Sequence, residues 1–423
     1  MARRTASVLA ICLIALSLPL RPAQAESDAL LAAYGQYRAL AEQGRFNEAT
    51  DYAARALELG EREYGPDHPT LATLLNGLAE LHRKQGRADA AEPLYRRAIA
   101  ILEWARGAGH PSVAPVLANL AVLYKTQGRH DLALPLFRRA LAIDREALGH
   151  QHPAVAVTLN NLAELHRAAG RTAAAEPLYR QALAVVEDAH GRQHRLAATV
   201  LNNLGMLHRD RGDSEAAERF YREALSIQTA SLGPDHPALA VTLGNLAALS
   251  ADAGDADMAQ SFYRRALAIR EASLGRDHPS VARLLNNLGL IHLDQGRFDE
   301  AEPLLKRALA IAQNVHGIAG RPVATPMSNL ALVYRQRDRG ARAELLYRRA
   351  AEIEEAALGP NHPDLAVTLS NMAAFHREEG RLAAAEPLYR RALAINEKAL
   401  GPDHPLTEAT RGALAAILQT EPR

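Results

Sequence analysis

Cysteine is nearly absent from this chain of 423 residues, and aromatic side chains make up only 4% of it. The lone cysteine, Cys12, lies near the N-terminus, so no internal disulfide is expected to hold the fold. Few aromatic residues beside abundant alanine and leucine are typical of closely packed helices and disfavour an all-β fold. Charge of one sign is also lacking, because the formal net charge is +1. This balance gives no general affinity for nucleic acid.

Long apolar runs are lacking too, apart from the segment Val8–Leu20. This run is shorter than the roughly 20 residues that span a bilayer. Arg3 and Arg4 precede it, and Ala23-Gln24-Ala25 has the small-x-small pattern of a cleavage site. We expect residues 1–25 to be a secretory signal peptide and the mature chain to be periplasmic or secreted, without a membrane span. An uncut anchor and a lipoprotein attached through the lone cysteine are the alternatives.

A glycine that returns every 42 residues is the main positive feature. It stands at Gly44, Gly86, Gly128, Gly170, Gly212, Gly254, Gly296 and Gly380. Only Asp338 interrupts the series, and the residues Gly320-Arg321-Pro322 also depart from the pattern, so we expect altered geometry in that unit. A fixed period of this size predicts a solenoid, in which one helical unit is stacked many times.

Each unit is predicted to be two antiparallel helices around the glycine. Before Gly170, the side chains of Leu159, Leu162 and His166 recur at the spacing of one helix face. In the second helix, alanine occupies one position in every unit: Ala49, Ala91, Ala133, Ala175, Ala217, Ala259, Ala301, Ala343 and Ala385. Such small residues allow close packing of neighbouring helices. We predict about nine helix pairs in residues 26–405, and a capping helix and tail in residues 406–423.

The motifs of this unit resemble those of the tetratricopeptide repeat, whose usual period is about 34 residues. The runs Leu-Asn-Asn-Leu-Ala, Ala-Glu-Pro-Leu-Tyr-Arg-Arg-Ala-Leu and Leu-Gly-Pro-Asp-His-Pro look like the longer, kinesin light chain type. The resemblance implies an all-α, right-handed superhelical solenoid whose first helices line the concave side. A motor role is not implied, because no heptad coiled coil precedes the repeats.

One polar position persists in the first helices: Asn119, Asn161, Asn203, Asn245, Asn287, Asn329 and Asn371. The resemblance implies that these side chains contact the backbone of a bound peptide, since a carboxamide both donates and accepts hydrogen bonds. The alternative is that each asparagine bonds the adjacent helix and fixes the repeat spacing. The preceding residues Asn160, Asn202 and Asn286 are additional groove candidates.

Residues that vary between units are the candidates for specificity. Four positions before each asparagine stand Pro115, Val157, Thr199, Val241, Arg283, Thr325 and Val367. Three positions after it stand Val122, Glu164, Met206, Ala248, Leu290, Leu332 and Ala374. These two rows predict small apolar pockets with two charges, Arg283 and Glu164, unless the side chains pack against the next repeat. Basic clamps for a C-terminal carboxylate are not expected.

Two rows of histidines have structural interpretations. The first, with His68, follows an aspartate that we expect to cap the next helix. The second, with His82, is expected to pack inside the repeat with its nitrogens hydrogen-bonded. One histidine per repeat lacks the clustering of metal ligands, so we expect no metal and no cofactor.

Repeats account for nearly all of the predicted mature chain, which leaves no room for a catalytic domain. Sequence motifs of P-loops, nucleophile elbows and zinc enzymes are lacking as well. The sequence therefore predicts a non-enzymatic scaffold that binds a protein or an extended peptide segment. The alternatives are a regulatory or adaptor subunit of an envelope enzyme complex and a structural oligomeric spacer.

Overall fold

The computed structural model describes residues 24–420, so most of the predicted signal peptide lies outside the described residues. The described part contains α-helices, one turn of 3-10 helix and no strands. It divides into two compact units, which meet in sequence between Ala169 and Gly170. Over the same residues, no helix combines the length and the apolar content required to cross a membrane.

Helices of nearly constant length follow one another along the chain. The first unit contains α1 (Gln24–Glu42), α2 (Phe46–Tyr64), α3 (Pro69–Lys84), α4 (Ala88–Arg106), α5 (Val113–Thr126), α6 (His130–Leu148) and α7 (Pro153–Ala168). The second unit begins with α8 (Thr172–His190), α9 (Arg195–Asp210), α10 (Ser214–Leu232), α11 (Leu239–Asp252), α12 (Ala256–Leu274) and α13 (Pro279–Asp294). It ends with α14 (Phe298–His316), α15 (Ala324–Gln336), α16 (Gly340–Leu358), α17 (Pro363–Glu378), α18 (Leu382–Leu400) and α19 (Pro405–Thr420).

Odd-numbered helices up to α17 are the first helices of the repeats, and even-numbered helices are the second. Within each compact unit, a first helix packs along the second helix that follows it. Neighbouring first helices, such as α3 and α5 or α13 and α15, also touch. The predicted all-α class, with nine helix pairs and a terminal helix, is confirmed for the described residues.

The turn inside each helix pair depends on a residue in the left-handed backbone conformation. The repeating glycines have φ between 70° and 79°, and Asp338 takes the same conformation with a φ of 54°. The following amide closes the turn in both cases: Arg297 N–H donates to His292 O at 2.8 Å, and Arg339 N–H donates to Tyr334 O at 2.9 Å. The altered geometry expected in this unit is instead found at Arg321–Val323, a turn of 3-10 helix before α15.

Histidine, not aspartate, caps five of the nine first helices, namely α3, α7, α9, α13 and α17. His68 Nδ1 accepts a hydrogen bond from the backbone N–H of Thr70 at 3.3 Å. The same bond recurs at His110, His152, His194, His236, His278, His362 and His404. The expectation that the preceding aspartate caps the helix is wrong, because the histidine ring itself occupies the N-cap position.

Alanine and one large side chain from each second helix form the core. Ala175, Ala217 and the other alanines of that position have no exposed surface. Tyr95, Tyr221 and Tyr347 fill the adjacent space and are also fully buried. Because the small and large positions alternate regularly along the helix, each repeat presents the same packing surface to its neighbours.

Candidate functional site

Within each of the two compact units, three rows of side chains share one surface of the first helices, which we call the first-helix face. It consists of the seven asparagines predicted to bind a peptide and the two variable rows around them. Every residue four positions before an asparagine is exposed, and every residue three positions after one is half-buried. The asparagines themselves are half-buried. The exposed row includes Val157, Val241 and Val367, each with more than 40% of its surface accessible.

Asparagines of neighbouring repeats form a hydrogen-bond ladder. Asn119 Nδ2 donates to Asn76 Oδ1 at 2.9 Å in the first unit. In the second unit, Asn245 Nδ2 donates to Asn202 Oδ1 at 3.0 Å, and Asn329 Nδ2 donates to Asn286 Oδ1 at 2.8 Å. Each acceptor lies 43 residues earlier, on the preceding first helix. These bonds show the structural role that the sequence left open as an alternative.

The ladder leaves part of each carboxamide unused. A carboxamide carries two N–H donors and an oxygen with two lone pairs. Asn119, Asn245 and Asn329 each use one N–H, and their other groups make no further side-chain hydrogen bond within the described residues. The ladder fixes the orientation of the amide, so that the structural role and a peptide-binding role are compatible.

The ladder exists where the acceptor position carries asparagine. Gly244 stands at that position opposite Asn287, whose Nδ2 donates instead to the hydroxyl of Tyr263 at 3.3 Å. Ala118 and Ser328 stand opposite Asn161 and Asn371, whose side chains make no hydrogen bond to any described residue. These two amides therefore retain all their donors and acceptors.

One part of the site prediction is wrong. Asn160, Asn202 and Asn286 were expected to be additional groove groups, but each has less than 10% of its surface exposed. At least Asn202 and Asn286 act as acceptors of the ladder beneath the first-helix face. Each of them directly precedes one of the seven outer asparagines in the sequence. The sequence alone therefore did not separate the inner asparagines from the outer ones.

Ion pairs border the first-helix face at the C-terminal ends of the helices. Lys125 Nζ lies 2.9 Å from Glu164 Oε1, so Glu164 is not a free charge. Arg209 and Asp252 approach to 2.7 Å. The sequence interpretation missed these pairs, although the basic residues recur at one position of the first helix. Arg283, in contrast, has no ion-pair partner among the residues that the structure describes.

The second histidine row packs inside the repeats as predicted, but its nitrogens are not all hydrogen-bonded. His82 and His376 each have a buried Nδ1 without a partner. Burial lowers the pKa of both rings, which favours their neutral form. Between residues 24 and 420, no group of three or more potential ligands could hold a metal ion.

Sequence models of the tetratricopeptide repeat match residues 30–103, 112–188, 175–230, 196–272, 239–314 and 364–421, and a second model with the same description matches residues 323–364. The chain belongs to the tetratricopeptide repeat family. A search of curated protein sequences found no match.

Solved structures support the repeat fold. The apo form of the quorum sensor NprR from B. thuringiensis is 14% identical, with a TM-score of 0.60 over 88% of this chain and 99% of that one. Aspartyl phosphate phosphatase F from Bacillus subtilis is also 14% identical, with a TM-score of 0.55 over 91% and 97%. BtubC (BKLC) from P. vanneervenii is 27% identical, with a TM-score of 0.42 over 59% and 92%. The first two structures therefore show that this tetratricopeptide repeat chain shares its fold with proteins of different functions.

Proposed function

We propose that this protein is a non-enzymatic scaffold whose first-helix face binds an extended segment of a partner protein. The observation that carries this proposal is the ladder, which orients the carboxamides of Asn119, Asn245 and Asn329 on the first-helix face with donors and acceptors left over. An extended peptide offers backbone C=O and N–H groups in a regular row. Ordered amides recognise that row without requiring a particular side chain.

Apolar side chains beside the asparagines supply the rest of the binding surface. In the second unit, Val241 is exposed, whereas Leu290 and Leu332 are half-buried. Burial of exposed apolar surface contributes about 25 cal/mol per Å² before the costs of association are subtracted. The variable rows thus give affinity and specificity, and the asparagines fix the path of the bound backbone.

We also propose that the protein acts outside the cytoplasm, on the strength of its N-terminal sequence. Cleavage after Ala25 would remove only the first two residues of α1. Mass spectrometry of the protein recovered from the periplasm or the medium is expected to give an N-terminus at Glu26. An intact N-terminus on protein confined to the cytoplasm would contradict export.

Binding can be tested with peptides selected from a random 12-residue display library on the full chain. The variant Val157→Asp, Val241→Asp, Val367→Asp places charges along the first-helix face. All three positions are exposed, so the variant is expected to fold normally. It should bind the selected peptides at least about tenfold more weakly, measured by fluorescence anisotropy, because charged groups replace apolar contacts.

A matched control carries the same number of charges elsewhere. Val315, Ile318 and Leu345 are exposed apolar residues outside the first-helix face, and their triple aspartate variant should retain binding. In addition, Asn371→Ala should weaken peptides bound at α17 without loss of stability, because its amide makes no internal hydrogen bond. Equal loss in both triple variants, or no loss in either, would overturn the assignment of the face.

A further inference from the structure

Consecutive second helices are joined by a repeated ion pair. Glu61 and Arg97 approach to 2.6 Å. The equivalent pairs lie 36 residues apart at Glu103–Arg139, Glu271–Arg307 and Glu355–Arg391, with distances of 2.5, 2.5 and 2.6 Å. A guanidinium presents several fixed donors, so it can bind the glutamate and a neighbouring loop at the same time.

The arginines are oriented by a second, backbone contact. Arg97 Nη2 donates to Pro66 O at 2.8 Å, and Arg307 Nη2 donates to Arg276 O at 2.7 Å. Arg265 makes the same contact, with Nη2 donating to Pro234 O at 3.2 Å. The guanidinium of Arg265 is therefore placed as in the paired repeats.

The carboxylate that should accompany Arg265 is missing. Thr229 stands where the paired repeats carry glutamate, and its hydroxyl donates to Leu225 O at 2.7 Å. Arg265 is exposed and forms no ion pair within the described part of the chain. The guanidinium of Arg265 thus lacks the anion that Arg97, Arg139, Arg307 and Arg391 bind.

A cleft opens at the same place, which we call the Thr229 cleft. It has a volume of about 510 Å³ and lies between the second helices α10 and α12, open to solvent. Leu225, Leu246 and Phe262 supply its apolar lining, and Arg222 and Arg265 its basic groups. Arg222 is already paired with Glu218 on its own helix at 2.7 Å, so Arg265 is the unpaired cation of the cleft.

We propose that the Thr229 cleft binds an acidic side chain of a partner protein, next to a large aliphatic residue. The partner's carboxylate takes the place of the missing glutamate beside Arg265, and the aliphatic side chain covers Leu225 and Phe262. Arginine–carboxylate pairs are directional and charge-assisted, which favours this ligand over a neutral amide. This site lies between second helices and is independent of the first-helix face.

The open side of the cleft favours a protein segment over a small molecule. Pockets for small molecules bury most of the ligand surface. The carboxylate of a flexible peptide, by contrast, can enter the cleft from its open side. It can then contact the Arg265 guanidinium as the internal glutamates contact the equivalent arginines. The acetate arm of the experiment below tests whether a bare carboxylate binds as well as one attached to a peptide.

NMR titration of the full chain with arginine labelled by ¹⁵N tests the proposal directly. The probe is N-acetyl-Leu-Glu-N-methylamide, and the Nε–H signal of Arg265 is the readout. We expect a saturable shift of that signal, with N-acetyl-Leu-Gln-N-methylamide and acetate each binding at least about tenfold more weakly. Absence of a saturable shift, or equal binding of acetate, would overturn the proposed ligand.

Variants at Thr229, where the glutamate is missing, distinguish binding in the cleft from nonspecific binding. Thr229→Glu restores the internal carboxylate and should reduce binding of the probe at least about tenfold. It introduces a residue that six other repeats already carry here, and its helicity and thermal midpoint check that it folds. Thr229→Ser keeps the cleft open and should retain binding.

A gain-of-function variant completes the test. Glu271→Thr should open an equivalent cleft beside Arg307 and produce a second saturable shift, at the Arg307 signal. If Thr229→Glu leaves the affinity of the probe unchanged, or if Arg265→Gln binds as well as the unmodified chain, the proposal is wrong.

Discussion

Replacing Glu354 by glutamine is expected to remove a pH-dependent loss of stability from the second unit. Glu354 lies in α16 with 5% of its surface exposed and faces Thr368 of α17, which is 2% exposed. Burial deprives the carboxylate of water and raises the pKa of Glu354 from 4.5 to about 7. The Thr368 hydroxyl and Arg321 oppose this increase, and Asp364 adds to it.

The sign and size of the effect follow from the two pKa values. The folded protein keeps a proton on Glu354 at pH values where the unfolded chain has lost it, which favours unfolding. The stability contributed by the neutral carboxyl is complete below pH 4.5 and is lost as the pH rises through about 7. Each pH unit between the two values is worth about 1.4 kcal/mol, so the loss is on the order of 3 kcal/mol. Glutamine does not ionise, so the Glu354→Gln variant avoids this loss of stability.

The chain already contains the glutamine version of this contact. Gln228 Oε1 accepts a hydrogen bond from the Thr242 hydroxyl at 2.9 Å, in the same register of α10 and α11. Glutamine therefore fits the site without repacking. The reciprocal change, Gln228→Glu, should introduce a comparable pH dependence at its own position.

Urea unfolding of the unmodified chain and Glu354→Gln, followed by far-UV circular dichroism at pH 4.5, 6 and 8, measures the effect. Hydrogen exchange of the amides in α16 and α17 adds a local readout, since repeat arrays open in segments. The variant should gain stability relative to the unmodified chain between pH 4.5 and 8. A difference that stays constant over this range would refute the reasoning.

Three further changes test the packing of the repeats by urea or thermal unfolding. Asn202→Ala should cost about 1 kcal/mol, because Asn245 loses its acceptor in the ladder, whereas Asn371→Ala should cost almost nothing; equal costs would contradict the ladder. Asp338→Gly should stabilise the chain by about 1 kcal/mol, since glycine takes a positive φ without strain, and a lower midpoint would argue against that. Ala217→Leu should cost about 1–3 kcal/mol by overpacking a site with no exposed surface, and an unchanged midpoint would show that the site expands.

The sequence predicted which variable residues share a face of the first helices, but it did not predict the burial of the inner asparagines. The residues four before and three after each asparagine share one face because helical periodicity fixes their direction. Asn202 and Asn286 lie one residue from that face, and their burial depends on how closely the preceding first helix approaches. Helix approach is set by packing between repeats, which a single helix does not specify.

The sequence by itself determined the period, the two helices of each repeat, the turns and the alanine core, because these follow from local conformation and from spacing along one helix. Even Asp338 preserved the turn, since aspartate tolerates the left-handed conformation better than most residues. Only the tertiary structure decided which polar groups meet. The asparagine ladder, the buried Glu354–Thr368 contact and the unpaired Arg265 arise from side chains brought together between helices. Whether such a group finds a partner depends on the distance between helices, which only the packed array sets.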